Sequence, residues 1–136
     1  MLPMFRPSNL LRWLPAVMMM LAIFTLSSLP NDLLPYFGRY DILVKKTAHA
    51  IGYAMLAAAY FHALPSRLSP IYRGLLSFLM AVLFAMSDEF HQSFVRGRHP
   101  ALRDVGIDSF GAAVALMVAM ISAAIYSSNS SSSSVS

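Results

Sequence analysis

The chain has 136 residues, of which 57% are hydrophobic and only 12% charged, with a mean hydropathy of +0.61. A water-soluble domain carries about 25% charged residues, so half that share excludes an ordinary soluble surface and points to one compact integral membrane domain. The net charge of +4 comes from basic residues beside apolar segments, not from a basic stripe, which excludes nucleic acid as a partner, and the lack of cysteine excludes disulfides, iron–sulfur clusters and thiolate metal sites.

Four apolar segments follow in chain order. The first, about Leu14 to Leu29, comes after a basic N-terminus holding Arg6 and Arg12. It resembles a signal peptide in outline but has no Ala-x-Ala site, so a retained helix is expected. The second runs from about Ala48 to Leu64, the third from Gly74 to Met86 and the fourth from about Val105 to Tyr126. A spanning helix needs about 20 mainly apolar residues. The third is short, and nothing breaks a helix between Gly74 and Phe94. It is therefore expected to extend through Asp88-Glu89-Phe90-His91-Gln92, drawing carboxylates to membrane depth. Pro65 to Pro70 forms a polar link, and Gly97 and Pro100 mark the turn before the fourth segment. The serine run over 127–136 is low complexity and reads as a disordered tail behind a domain of residues 1–126.

Four of the six acidic residues lie within one short stretch: Asp88, Glu89, Asp104 and Asp108. Ionisable groups clustered at membrane depth are costly and mark a functional site. Alternating topology brings the start of the second segment, the end of the third and the start of the fourth to one membrane face. Lys45, Lys46, His49, the Asp88–Gln92 run, Asp104 and Asp108 then converge on one polar site. The opposite face carries Arg6, Arg12, Arg67 and Arg73. A raw Lys/Arg count would put the polar site in the cytoplasm. Assigning several of its cations to the site itself gives cytoplasmic termini and an outward-facing site instead.

Lys46, His49 and Tyr53 share one helix face. His49 reads as a proton carrier or ligand, or as a buried histidine bonded to a carboxylate. Lys46 reads as a site residue or a snorkelling cation, and Tyr53 as a site residue or a packed interface ring. Asp88 and Gln92 lie one turn apart, as do Asp104 and Asp108. The two aspartates repel in a low-dielectric setting unless a cation sits between them, and Arg98 and Arg103 are available. These charges form either an ion-paired lock on three helix ends or a binding or catalytic site. His49, Asp88, Glu89, His91 and His99 offer metal-type ligands, but no recognised ligand spacing is present, so neither metal nor cofactor is expected. There is no Gly-x-Ser-x-Gly elbow and no phosphate or dinucleotide loop. The ten methionines read as packing or lipid-facing residues.

At these residues the chain resembles the VanZ-like family of small bacterial membrane proteins, named for a protein linked to teicoplanin resistance. The family pattern appears here as Lys45-Lys46-x-x-His49-x-x-x-Tyr53, then Asp88-Glu89-x-x-Gln92-x-Phe94 with Arg96 and Arg98, then Asp104-x-x-x-Asp108-x-x-Gly111. Ser27-Ser28-Leu29-Pro30 resembles the family's end of the first helix. Lys45 departs from the pattern, since many members carry aspartate there. The resemblance implies an all-α, four-helix transmembrane bundle in the bacterial cytoplasmic membrane, and supplies no reaction.

Two functions of different class are compatible with this. One is a non-enzymatic envelope protein that reduces lipoglycopeptide access at the membrane surface. The other is an intramembrane enzyme acting on a lipid-linked or envelope substrate. In the second, Asp88, Glu89, Asp104 or Asp108 would serve as general acid or base and His49 would carry protons. Lys46, Tyr53, Gln92 and Arg98 would bind substrate. The partners expected are the bilayer and an anionic lipid or envelope glycan or lipoglycopeptide. A proton-coupled transporter is a third option, disfavoured because four short helices leave little room for alternating access.

Overall fold

The computed structural model describes residues 7–132, and their regular structure is entirely helical. Arg6 and the last serines of the expected tail lie outside the described residues. A short helix α1 (Pro7–Leu11) leads through a turn at Arg12 and Trp13 into α2 (Leu14–Ser28). Two single 3-10 turns, Asn31–Leu33 and Gly38–Tyr40, follow before α3 (Asp41–Ala63). The bundle is completed by α4 (Pro70–Gln92) and α5 (Leu102–Ser132).

Local signals explain most of these boundaries. Ser69 caps α4 by accepting the Tyr72 amide at 3.4 Å, and Pro70 supplies a preset φ in the first turn. Gly97 has φ +75°, in the region where a side chain would be strained, and it turns the chain between α4 and α5. As expected, α4 continues unbroken through the Asp88–Gln92 run.

Two boundaries differ from the sequence reading. The helix expected from Ala48 begins at Asp41, a polar extension of two turns. Asp41 anchors it by accepting the Phe37 amide at 3.2 Å and a Lys45 ammonium hydrogen at 2.8 Å one turn on. At the other end of the chain, α5 continues through Ser132 instead of stopping near Tyr126. Its serines fold back onto the helix: Ser128 donates to the Ile125 carbonyl, and Ser130 and Ser131 donate to the Ser127 carbonyl. Such back-bonding lets a polar run remain helical.

The core is built from small residues, so backbones approach closely. Ala16, Ala57, Ala81, Ala85 and Ala112 are buried among Tyr53, Leu56 and Leu116. At Gly111 of α5 an added Cβ would collide with the Ala50 carbonyl of α3. Small residues at helix contacts are the usual packing device in lipid, where there is no hydrophobic force between helices. The outer faces are apolar instead: Val17, Met18 and Leu21 on α2, Leu75, Leu79 and Leu83 on α4, and Val114, Met117 and Ile121 on α5 are all exposed. Buried polar groups inside an apolar exterior reverse the arrangement of a water-soluble bundle.

Three helices are long and apolar enough to cross a membrane: Asn9–Ser28, Pro70–Gln92 and Leu102–Ser131. Helix α3 has sufficient length, 23 residues, but Asp41, Lys45, Lys46 and His49 make its first third too polar to qualify by composition.

Arginines close the end of α3 far from these charges. Arg12 donates to the His62 and Leu64 carbonyls at 2.7 and 3.2 Å, and Arg73 donates to the Phe61 carbonyl at 2.5 Å while lying over the Phe61 ring. Cations at a helix C-terminus satisfy carbonyls that have no partner within the helix.

Candidate functional site

The chain ends of α2 and α4 and the chain starts of α3 and α5 gather at one end of the bundle, and the polar side chains gather there with them. The first group is centred on Asp88, which is buried. Ser27 of α2 donates to Asp88 Oδ2 at 2.8 Å, and Gln92 donates to the same oxygen at 3.1 Å and to Ser27 Oγ at 3.4 Å. Beside it, Ser28 Oγ and His91 Nε2 are 2.9 Å apart, and Phe24 stacks on the His91 ring at 4.5 Å. This group joins α2 to α4. Ser27 and Ser28 carry no role in the sequence reading beyond a family resemblance. Their signal was two adjacent hydroxyls closing an otherwise apolar helix.

The second group joins α3 to α5. Lys46 pairs with Asp104. One turn along both helices, His49 Nδ1 lies 3.5 Å from Asp108 Oδ1. That is ion-pair reach but too long for a good hydrogen bond. Both Asp108 oxygens, Asp88 Oδ1 and the Tyr53 hydroxyl have no hydrogen-bond partner among the described residues, although all are buried. Glu89 is also buried, and its Oε2 accepts the Ala101 amide at 3.1 Å, where the carboxylate complements the start of α5.

The cations are distributed differently from the sequence expectation. Arg98 and Arg103 were candidates to separate Asp104 from Asp108, but Lys46 and His49 of α3 take that place. Arg98 turns to α2, donating through Nε to the Leu29 carbonyl at 3.2 Å and through Nη2 to the Leu26 carbonyl at 3.0 Å. The reason is positional: the loop after α4 passes beneath the end of α2, whose last carbonyls need donors. Burial lowers the Arg98 pKa from its ordinary value, and the Asp88 and Glu89 carboxylates oppose that shift. Arg103 is exposed and forms no ion pair among the described residues.

Between these groups lies a cavity of about 320 Å³. Its acids are Asp41, Glu89, Asp104 and Asp108, and its cations are Lys45, Lys46, Arg98 and Arg103. Asn31, His49, Gln92 and His99 complete the polar wall. Of the nine site candidates from the sequence, seven line this cavity: Lys46, His49, Glu89, Gln92, Arg98, Asp104 and Asp108. Asp88 and Tyr53 do not. Asp88 is enclosed by Ser27 and Gln92, and Tyr53, 1% exposed, is packed in the core near Phe84. Lys45, expected at the polar end, and His99, weighed only as a metal-type ligand, also line the wall, together with Asp41, which carries no role in the sequence reading because it lies in the polar stretch before the apolar segment. Among the described residues, no three His, Asp or Glu side chains are grouped to hold a metal ion.

An all-helical protein with an apolar exterior and a charged cavity at one end of the bundle is a membrane protein. The family model described as VanZ/LLP1 matches residues 4–123, and the chain belongs to that family. No curated protein and no solved structure matches it.

Proposed function

We propose that this protein crosses the bacterial cytoplasmic membrane four times, with α3 as the fourth span, termini in the cytoplasm and the cavity facing outward. The cavity holds the polar head of an envelope amphiphile without converting it. Its occupancy reduces the access of a lipoglycopeptide such as teicoplanin to the membrane surface. The observation carrying this reading is the cavity itself, about 320 Å³, in the lower range of ligand sites. A simple ionic lock would close its charges on one another. Here Arg98 bonds to helix carbonyls and Arg103 to no acid among the described residues, and Glu89 and Asp108 remain on the wall.

An enzymatic reading has one observation in its favour: His49 Nδ1 faces the buried Asp108 at 3.5 Å on the same wall. A histidine oriented by a carboxylate is a general base. His49 would then carry protons, Glu89 would act as acid or base, and Arg98 would hold an anionic group.

The test is teicoplanin susceptibility in a sensitive Gram-positive host expressing the wild type, Glu89→Gln, Asp104→Asn or His49→Asn, with membrane abundance measured in parallel. Protection by the wild type, lost in abundant Glu89→Gln and Asp104→Asn, supports a functional cavity. Variants missing from the membrane make those charges structural. Full protection by His49→Asn refutes the enzymatic reading. No protection from abundant wild type refutes the teicoplanin effect.

A further inference from the structure

We propose that the head bound in the polar cavity is zwitterionic, a phosphate tethered to a primary amine, and that the chain of the same lipid lies in a second cavity between α2 and α3. This rests on the reading that the polar cavity binds an amphiphile's head.

The first argument is charge. The cavity wall carries four acids and four Lys/Arg cations. Two acids meet lysines, Asp41 with Lys45 and Asp104 with Lys46, and Asp108 has only His49 Nδ1, at 3.5 Å. Glu89 and Asp108 have no Lys or Arg partner among the described residues, and Arg98 and Arg103 have no carboxylate partner there. Arg98 donates to carbonyls and forms no ion pair among the described residues. A purely anionic head would answer the arginines and repel the acids. A cationic head would do the reverse. A head carrying both charges answers both.

The second argument is the donor that Asp108 lacks. Its side chain is 1% exposed, both oxygens have no hydrogen-bond partner among the described residues, and it lines the cavity. A buried carboxylate without donors is costly. A primary ammonium brings three N–H donors, whereas a trimethylammonium brings none. The site is therefore expected to distinguish an amine from its methylated form.

The third argument is adjacency. A cavity of about 210 Å³ lies between α2 and α3, with Met19, Ile23, Leu26, Ala48 and Gly52 on its walls. It shares Lys45, His49 and Arg98 with the polar cavity. An apolar slot beside a charged chamber, with three wall residues in common, matches the division of a phospholipid into chain and head. The occupant is therefore a bilayer lipid, not a free phosphate.

The test uses the full chain purified in neutral detergent. Its unfolding midpoint is measured with added phosphatidylethanolamine, phosphatidylcholine or phosphatidylglycerol of identical chains. Phosphatidylethanolamine is expected to raise the midpoint by about 5 °C at saturation and the other two by far less. Asp108→Asn is expected to abolish the shift. Should that variant fail to fold, Arg103→Gln at an exposed position and Ala48→Phe in the slot carry the test, each expected to weaken the lipid response about tenfold. An equal or larger shift with phosphatidylglycerol overturns the zwitterionic head while leaving amphiphile binding intact. An equal shift with phosphatidylcholine overturns the amine–Asp108 contact. A shift unchanged in both Arg103→Gln and Ala48→Phe places the lipid elsewhere and overturns the proposal. No shift with any lipid overturns both this inference and the reading beneath it.

Discussion

Gly111 is where the cavity depends on the backbone, and Gly111→Ala tests that dependence. A Cβ at this position would lie 2.8 Å from the Ala50 carbonyl carbon and 3.0 Å from Ala50 Cα, and closer still to the carbonyl oxygen. Carbon contacts are comfortable at about 3.5–4.0 Å, so α3 and α5 would have to separate by roughly 1 Å. The obstacle is backbone, which cannot rotate aside, so the overpacking cost belongs near the upper end, about 3 kcal/mol. Alanine recovers about 1 kcal/mol of helix propensity over glycine. The net loss is about 2 kcal/mol, or roughly 30-fold in the folded-to-unfolded ratio. Separating these helices also pulls Lys46 from Asp104 and His49 from Asp108, one turn away. The control lies on the same helix: a Cβ at Gly106 meets nothing within 4 Å, so Gly106→Ala is expected to be neutral or up to about 1 kcal/mol stabilising. The assay is thermal stability of the detergent-purified full chain, with membrane abundance alongside. Gly111→Ala as stable as Gly106→Ala would refute the close approach of α3 and α5.

Other outcomes are expected from the same contacts. Ser27→Ala removes a donor from buried Asp88 and is expected to cost about 1–3 kcal/mol, read as a lowered unfolding midpoint. An unchanged midpoint would mean that Gln92 alone suffices. A double-mutant cycle with Lys46→Gln and Asp104→Asn is expected to show a coupling of about 1 kcal/mol, and additive effects would deny the pair any energetic role. Arg98→Lys keeps the charge but loses the planar fork that reaches both the Leu26 and Leu29 carbonyls, so a loss of about 1–2 kcal/mol is expected in the same assay. Full stability would show that charge alone holds the loop after α4.

Chain order and residue type were enough to place α2, α4 and α5, because uninterrupted apolar runs have few alternatives to helices. They also brought Lys46, His49, Asp104 and Asp108 to one end of the bundle, since alternating helices leave little choice of side. The start of α3 was not legible in the same way. Asp41 looks like a loop residue until the first turn's own hydrogen bonds are seen. The end of α5 was not legible for a related reason: composition describes solubility, whereas each hydroxyl's bond to the preceding turn is geometric.

What the sequence by itself determined is therefore the class of protein, the helical segments and the list of charges that must share one end. Burial of apolar length and the cost of charge in lipid act on residue type and order alone. Which charge meets which was decided only by the tertiary structure. Gly111 against Ala50 sets the register that gives Lys46 to Asp104 and His49 to Asp108, and the end of α2 draws Arg98 away from the acids. The hydrogen-bond donor that Asp108 lacks and the cavity beside it follow from those two contacts, and no spacing along the chain contains them.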